Sequence, residues 1–288
     1  MKFMYPLSSN ILHMKKNIQW ILITILLLVL QLISETILFA QADTVYPGSR
    51  HLNTRFLKPG LKQYLVYHQW PQYNKMLQFQ YWVRDISIEK KDGMDVFAIR
   101  EYWFTADSNE YRTFLSYGSV KDFTPLYHAS TGTGKMAAYN WSNTGIKGAD
   151  TVSGNTRKDF HLAFDRPNFN WHLDIETFEM LPLAIGKTFV INFYDAGLSP
   201  PAFVTYKVTG NETLRTLDNR MIACWKLATS GSYNGKSYTQ TFWISKKEHE
   251  LLKEEDAFDG RFRYKIKLPG LTPDILTATT SAPYTNYP

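Results

Sequence analysis

The sequence predicts an all-β, mainly antiparallel protein: a curved sheet, half-barrel or open barrel, with one short covering helix. Three observations carry this. From Gly186 to Leu268, apolar-polar runs alternate with the turn pairs Asp218-Asn219, Asn234-Gly235 and Asp259-Gly260. Asn-Gly and Asp-Gly suit two-residue hairpins, whose central positions both take positive φ. The runs between them are of strand length, and successive hairpins make a meander. Second, 15% of the chain is aromatic, with 18 Phe, 18 Tyr and 8 Trp, residues that favour strands and bury large areas. Third, a single stretch, Asp174–Leu181, reads as a convincing helix, and a long meander avoids exposed edges by curling or closing.

In chain order, residues 1–42 read as a secretory signal peptide. Lys15-Lys16 precede the uncharged run Ile18–Ile33, and Ala40-Gln41-Ala42 offers small residues at a cleavage site, leaving Asp43 first in the mature chain. The apolar stretch resumes at Ile37–Phe39 after Glu35, so a retained membrane anchor is the rival reading. Met14, just before Lys15-Lys16, is an alternative start to Met1. Residues 43–60 form an extended opening segment, residues 61–268 one antiparallel β domain, and residues 269–288 a flexible tail rich in Thr, Ser, Pro and Tyr. Export places the protein in the periplasm or outside the cell.

The net charge of +6 is scattered, with no basic run above two, whereas nucleic-acid binding wants a clustered stripe. A lone cysteine, Cys224, excludes an internal disulfide and a cysteine zinc cluster; between Ala223 and Trp225 it reads as a small buried side chain.

The first strand is Leu61–Trp70, with Tyr64, Val66, His68 and Trp70 on one face. Leu77–Glu89 alternates with Phe79, Tyr81 and Val83 on one side, while Trp82, Ile86 and Ile88 suggest a twist or bulge midway. Lys91-Asp92-Gly93 turns into Asp95–Thr105, and Tyr111–Tyr117, Thr124–Ser130 and Met136–Trp141 follow. Residues 143–155 read as an exposed loop and Arg157–Phe164 as a further strand. In the helix, Asp174 stands as the cap, Glu176 in the first turn, and Ile175, Phe178 and Leu181 as the apolar stripe before Pro182. Lys187–Tyr194, Phe203–Val208, Thr213–Leu217, Met221–Ala228, Tyr238–Ser245 and Phe262–Leu268 are strands of the second half.

The chemistry-bearing motifs are broken. His249-Glu250 opens like a zinc-protease helix, but Lys253 stands where the second histidine is required. Gly132–Lys135 lacks the first glycine and the hydroxyl residue of a phosphate loop, and no G-x-S-x-G occurs. The seven histidines (His13, His51, His68, His128, His161, His172 and His249) show no metal-ligand spacing. Asp174, Glu176 and Glu179 put three carboxylates on one short helix; acid-base chemistry is one reading, and capping with a solvated face is the simpler. No catalytic residue, metal or cofactor is expected. Trp171, Phe178, Met180, Trp225 and Trp243 are the candidate ligand-binding residues, read either as ordinary core or as the lining of an apolar pocket under the helix.

The stretch Asp174–Leu183, followed by Gly186-Lys187, a strand ending at Tyr194-Asp195, Tyr206–Glu212, Cys224–Leu227 and Trp243-Ile244-Ser245, resembles the periplasmic domain-of-unknown-function family 3108. The resemblance spans roughly Leu61 to Leu268. It departs at Glu179-Met180, where an arginine is common, and at Lys246-Lys247, where an acidic residue is usual. It implies an envelope protein similar in fold to lipoprotein-carrier half-barrels, which cup a hydrophobic ligand, and it brings no catalytic residue. The expected role is therefore non-enzymatic binding of an apolar or lipid-like ligand in the cell envelope. An interaction or scaffold module holding an envelope protein or a glycan is the alternative, and a carboxylate-dependent hydrolase ranks third. Membrane contact is expected only through an uncleaved leader or peripherally.

Overall fold

The computed structural model describes Trp20 and residues 23–25, 42–71, 76–198 and 200–270. The chain divides into Met1–Gln41 and Ala42–Pro288, and the fold below belongs to the second unit. Apart from Trp20, residues 23–25 and Ala42, the predicted leader lies outside the described residues, as do all but the first two residues of the predicted tail. Among the described residues, no helix is long and apolar enough to cross a membrane.

Among the described residues, sixteen strands form one sheet. The first meander comprises β2 (Gly60–Trp70), β3 (Met76–Lys91), β4 (Met94–Thr105), β5 (Arg112–Ser119), β6 (Pro125–Gly132), β7 (Lys135–Ser142), β8 (Gly145–Gly148) and β9 (His161–Ala163). The second comprises β11 (Thr188–Tyr194), β12 (Ala202–Arg215), β13 (Met221–Tyr233), β14 (Lys236–Ser245), β15 (Leu251–Phe258) and β16 (Arg261–Lys267). β16 pairs antiparallel with β2 and fuses the two. β1 (Asp43–Val45) and β10 (Phe169–Asn170) lie parallel to β11. Among the described residues of this unit one α-helix occurs, α1 (Asp174–Glu179), after a 3-10 turn at Trp171–Leu173.

The hairpin signals are obeyed. Asp92-Gly93 have φ of 49° and 81°, Asn234-Gly235 50° and 75°, and Asp259-Gly260 49° and 73°, the doubly left-handed backbone that a two-residue hairpin requires. Asp218-Asn219 behaves differently, since only Asn219 is left-handed, at 63°.

The sheet curls because its two meanders share one core. Tyr64, Trp82 and Ile99 from β2–β4 join Phe189, Tyr206 and Phe242 from β11–β14 in a single apolar cluster around Phe178, Met180 and Leu181. Phe178 lies 4.7 Å from the rings of both Tyr206 and Phe242. The opening segment helps to fill this core: Val45 and Leu57 are buried in it, and the Asn53 N–H donates to the Met180 carbonyl over 2.9 Å. The hydrogen-bonded ladder stays open between β9 and β11, where side chains meet instead. Tyr194 packs 5.5 Å from both Trp141 and Phe164. Gly197 is required beside them, for its φ is 83° and a Cβ would stand 2.5 Å from the Tyr139 hydroxyl.

Several expectations are corrected. β3 pairs with β2 and β4 without a break in register. Its pattern looks irregular because Trp82, Val83 and Arg84 are all buried, so both faces are covered. In the second half the register shifts between Val208 and Gly210 and between Trp243 and Ile244; the first shift lets two expected strands run as one, β12. The expected loop at 143–155 contains β8 and the buried Ile146, Ala149 and Asn155. Asn155 lies there because its side chain accepts from the Ala138 N–H and donates to the carbonyls of Ala138 and Ala149, completing backbone pairing that the strands leave unmade. In the expected strand at 157–164, only His161–Ala163 pairs. The helix ends at Glu179, and Asp174 is its first residue; Leu173 holds the cap position without a side-chain bond. The cap chemistry sits earlier, where Asn170 accepts from the His172 N–H to start the 3-10 turn.

Phe178 is fully buried where both meanders meet. Phe178→Ala is expected to cost about 3–5 kcal/mol, read from the urea midpoint and slope of equilibrium unfolding.

Candidate functional site

The inward faces of β15, β16, β2, β3 and β4 carry charge as well as apolar side chains. Register puts Glu254 opposite Lys265 and Asp256 opposite Arg263. It continues through Lys62 opposite Arg84 and Arg84 opposite Glu101. Helix α1 lowers its three carboxylates onto this ladder. Glu176 is 0% and Glu179 1% exposed, which overturns the solvated face expected of them. Arg84 bridges Glu176 at 2.5 Å and Glu101 at 3.0 Å and also donates to the His172 carbonyl. Lys62 pairs with Glu179 at 2.5 Å, and the other Glu179 oxygen accepts from the Leu251 N–H over 2.9 Å. Lys265 and Arg263 both pair with Glu254, and Arg263 also with Asp256.

The network holds more carboxyls than cations: Asp174, Glu101, Glu176, Glu179, Glu254 and Asp256 face Lys62, Arg84, Arg263 and Lys265. Burial raises the affinity of several of these carboxyls for protons. Burial outweighs the Arg84 charge and pushes Glu101 up to about 7. Burial and the Glu254 charge push Asp256 up to about 7. Burial works against Glu254 too, but Lys265 and Arg263 hold it down at about 2. Asp174 and Glu179 are raised by burial. For Arg84, burial disfavours the charge, yet Glu101 and Glu176 hold its pKa above the ordinary value.

A second buried polar group adjoins it. The Ser116 hydroxyl lies 2.9 Å from His128 Nδ1, which also receives the Asn170 amide at 3.0 Å. His128 stacks on His172 at 4.7 Å, and burial lowers both rings, His172 to about 4. Ser116 is 0% and His128 2% exposed, so this pair joins strands rather than meeting a substrate. Among the described residues, no group of three His, Cys, Asp or Glu side chains stands ready to hold a metal.

The five candidate ligand residues do not converge on one pocket. Phe178 and Met180 are fully buried in the main core, with Trp171 and Trp225 packed at its edge. Trp243 faces the other side of the sheet beside Cys224, Leu252, Leu214 and Ile222. Trp225 and Trp243 have cations on their rings: Lys246 at 4.0 Å from Trp225 and Lys253 at 4.6 Å from Trp243. Cys224 is buried, and burial pushes its thiol up to about 11.

That outer cluster floors a groove of about 560 Å³ between the β12–β13 hairpin, the β14–β15 turn and the end of β16. Leu214, Ile222, Leu252 and Ile266 form its apolar base, and Arg215, Arg220, Lys246, Lys247, Lys253 and Lys267 outnumber Asp218, Glu248 and Glu250 around it. Leu217 and Met221 are 58% and 64% exposed at its lip. Sequence reasoning missed this groove because it is assembled from three turns; the signal it did leave is the apolar Leu214, Leu217, Met221 and Ile222 flanking a polar turn.

Residues 63–267 match the family model DUF3108, a protein of unknown function. No match is found among curated proteins. Among solved structures, a "beta-barrel-like protein of domain of unknown function DUF1849" from Brucella abortus is similar, with 7% identity and a TM-score of 0.48 over 74% of this chain and 96% of that one.

The buried acids give the network a pH signature. Glu101, raised from 4.5 to about 7, binds its proton more tightly folded than unfolded. Its stabilising contribution is therefore complete below about pH 4.5 and lost as pH rises through about 7. The stability of the native chain relative to its Glu101→Gln variant should fall by up to about 3 kcal/mol across that window, measured by urea unfolding at pH 4.5, 6 and 8.

Proposed function

We propose an envelope binding role for this chain, which belongs to the DUF3108 family: it takes an apolar or amphipathic anionic molecule, such as a lipid or acyl chain, without chemical turnover. The observation that carries the reading is the outer groove, whose apolar base of Leu214, Ile222, Leu252 and Ile266 is rimmed by a majority of cations within about 560 Å³. An apolar base removes a hydrocarbon tail from water at about 25 cal/mol per Å². Lys246 and Lys247 sit where they can meet a headgroup. The space beneath α1 is filled by Phe178, Met180, Leu181 and Phe242, so the ligand is assigned to the groove rather than to a pocket under the helix. Export and a periplasmic location rest on Lys15-Lys16, Ile18–Ile33 and Ala40-Gln41-Ala42.

Catalysis is not part of the proposal: Glu179 and Glu176 of α1 are committed to Lys62 and Arg84 away from solvent, and Asp174 accepts from the Ile175 N–H. A carboxylate acting as general acid or base must reach the proton it transfers.

Trp225 and Trp243 lie close enough to report on the groove, since Lys246 on one ring and Leu252 beside the other line it. Titration with sodium dodecanoate below its micellar range should change tryptophan emission saturably, with dodecanol binding several-fold more weakly. Ile222→Asp places a charge on the half-buried base and should weaken dodecanoate binding at least tenfold while leaving the thermal midpoint within a few degrees. Absence of saturable binding, or equal binding to the variant, overturns the reading.

A further inference from the structure

The inner face holds a second recess made by different residues. Pairing sets Trp82, Trp103, Arg112, Gly132 and Lys135 in one inward row across β3–β7. The next row carries Glu101, Phe114, Ser130 and Ala137. Gly132 and Ala137 contribute almost no bulk, so the larger side chains around them enclose a notch of about 270 Å³. That volume lies just below the range of drug-sized pockets and suits a small molecule.

We infer that this notch is a binding site for a small aromatic carboxylate. The arginine in it is fixed in advance. Arg112 Nη1 donates to the carbonyls of Asn109 and Tyr111 over 3.2 and 3.1 Å. Its stem lies flat on Gly132, where a Cβ would stand 2.2 Å from Arg112 Cδ. Any side chain at position 132 would displace the guanidinium. With Nη1 committed to the backbone, the Nε–Nη2 edge takes no protein partner among the described residues. That edge is a planar fork matched to the two oxygens of a carboxylate. Lys135 adds a second cation and Ser130 a hydroxyl, while the Thr156 hydroxyl donates to the Met136 carbonyl over 2.8 Å.

None of the residues lining the notch is Asp or Glu. Glu101, beside it in the ladder, is fully buried and paired with Arg84 at 3.0 Å. The apolar walls are flat: Trp103 and Phe114 meet at 4.7 Å with their planes 53° apart, and Met136 lines the same space. A ring attached to the carboxylate finds aromatic faces there.

Isothermal titration of the full chain with sodium benzoate tests the assignment, with benzamide as the neutral isostere and inorganic phosphate as competitor. Benzoate is expected to bind at least tenfold more tightly than benzamide. Arg112→Ala and Gly132→Ala should each weaken benzoate at least tenfold. Lys135→Ala, at an exposed position that tolerates truncation, should weaken it at least threefold and keeps the test decisive if either other variant fails to fold. Ile222→Asp, in the outer groove, should leave benzoate unchanged, so this assignment and the lipid reading stand or fall separately. The proposal is overturned if benzoate does not bind, if benzamide binds equally well, if Lys135→Ala and the folded arginine or glycine variants bind as the native chain does, or if phosphate competes as strongly as benzoate itself.

Discussion

The guanidinium of Arg84, held between Glu176 of the helix and Glu101 of β4, is the contact on which the rest of the curled sheet depends. An isolated buried carboxylate costs several kcal/mol, and removing one partner of a buried pair leaves an uncompensated charge. Two-turn helices have little stability of their own, so α1 keeps its place only while its carboxylates find cations and its apolar stripe finds a core. Both conditions are met by strands far apart in sequence. Lys62 and Arg84 come from the first meander. The Leu251 N–H, Tyr206 and Phe242 come from the second. The helix thereby ties the two meanders across the interior, while the β16–β2 ladder ties them at the wall.

This arrangement explains where binding surfaces are left. The interior around α1 is packed by its apolar stripe, the opening segment and the paired charges. Two recesses lie towards the periphery. The notch between β4 and β7 exists where Gly132 and Ala137 interrupt the inward rows. The outer groove exists where the β12–β13 hairpin projects past its neighbours. The two differ in chemistry, one a fixed guanidinium among flat aromatic walls, the other an apolar base under a lysine-rich rim. The seam at Tyr194, Trp141 and Phe164 closes the wall with aromatic packing rather than backbone pairing, which covers the sheet edges that would otherwise be free to pair with another chain.

The hairpins were legible because a turn is a local decision. Asn234-Gly235 and Asp259-Gly260 need only their own φ angles, and no distant residue can change that requirement. The fold class, the strand succession and the position of the single helix follow from such local signals and from alternation. The interior face of β3 was illegible because Val83 is covered on the outer side while Trp82 and Arg84 are covered within, and two buried faces erase the period that alternation relies on. The roles of Glu176 and Glu179 were illegible for a related reason. Three acids on a short helix look solvated until Arg84 and Lys62, 92 and 117 residues away, arrive beneath them.

By itself the sequence determined an antiparallel meander, its hairpin turns and one helix stopped before Pro182, because each rests on backbone preferences of a few adjacent residues. Tertiary structure alone decided that the helix turns its charges inward, that Trp225 and Trp243 belong to different faces, and that Arg112 lies on Gly132. Those are matters of register and closure. They depend on which strands become neighbours, and that is set by burying one shared core rather than by any local run of residues.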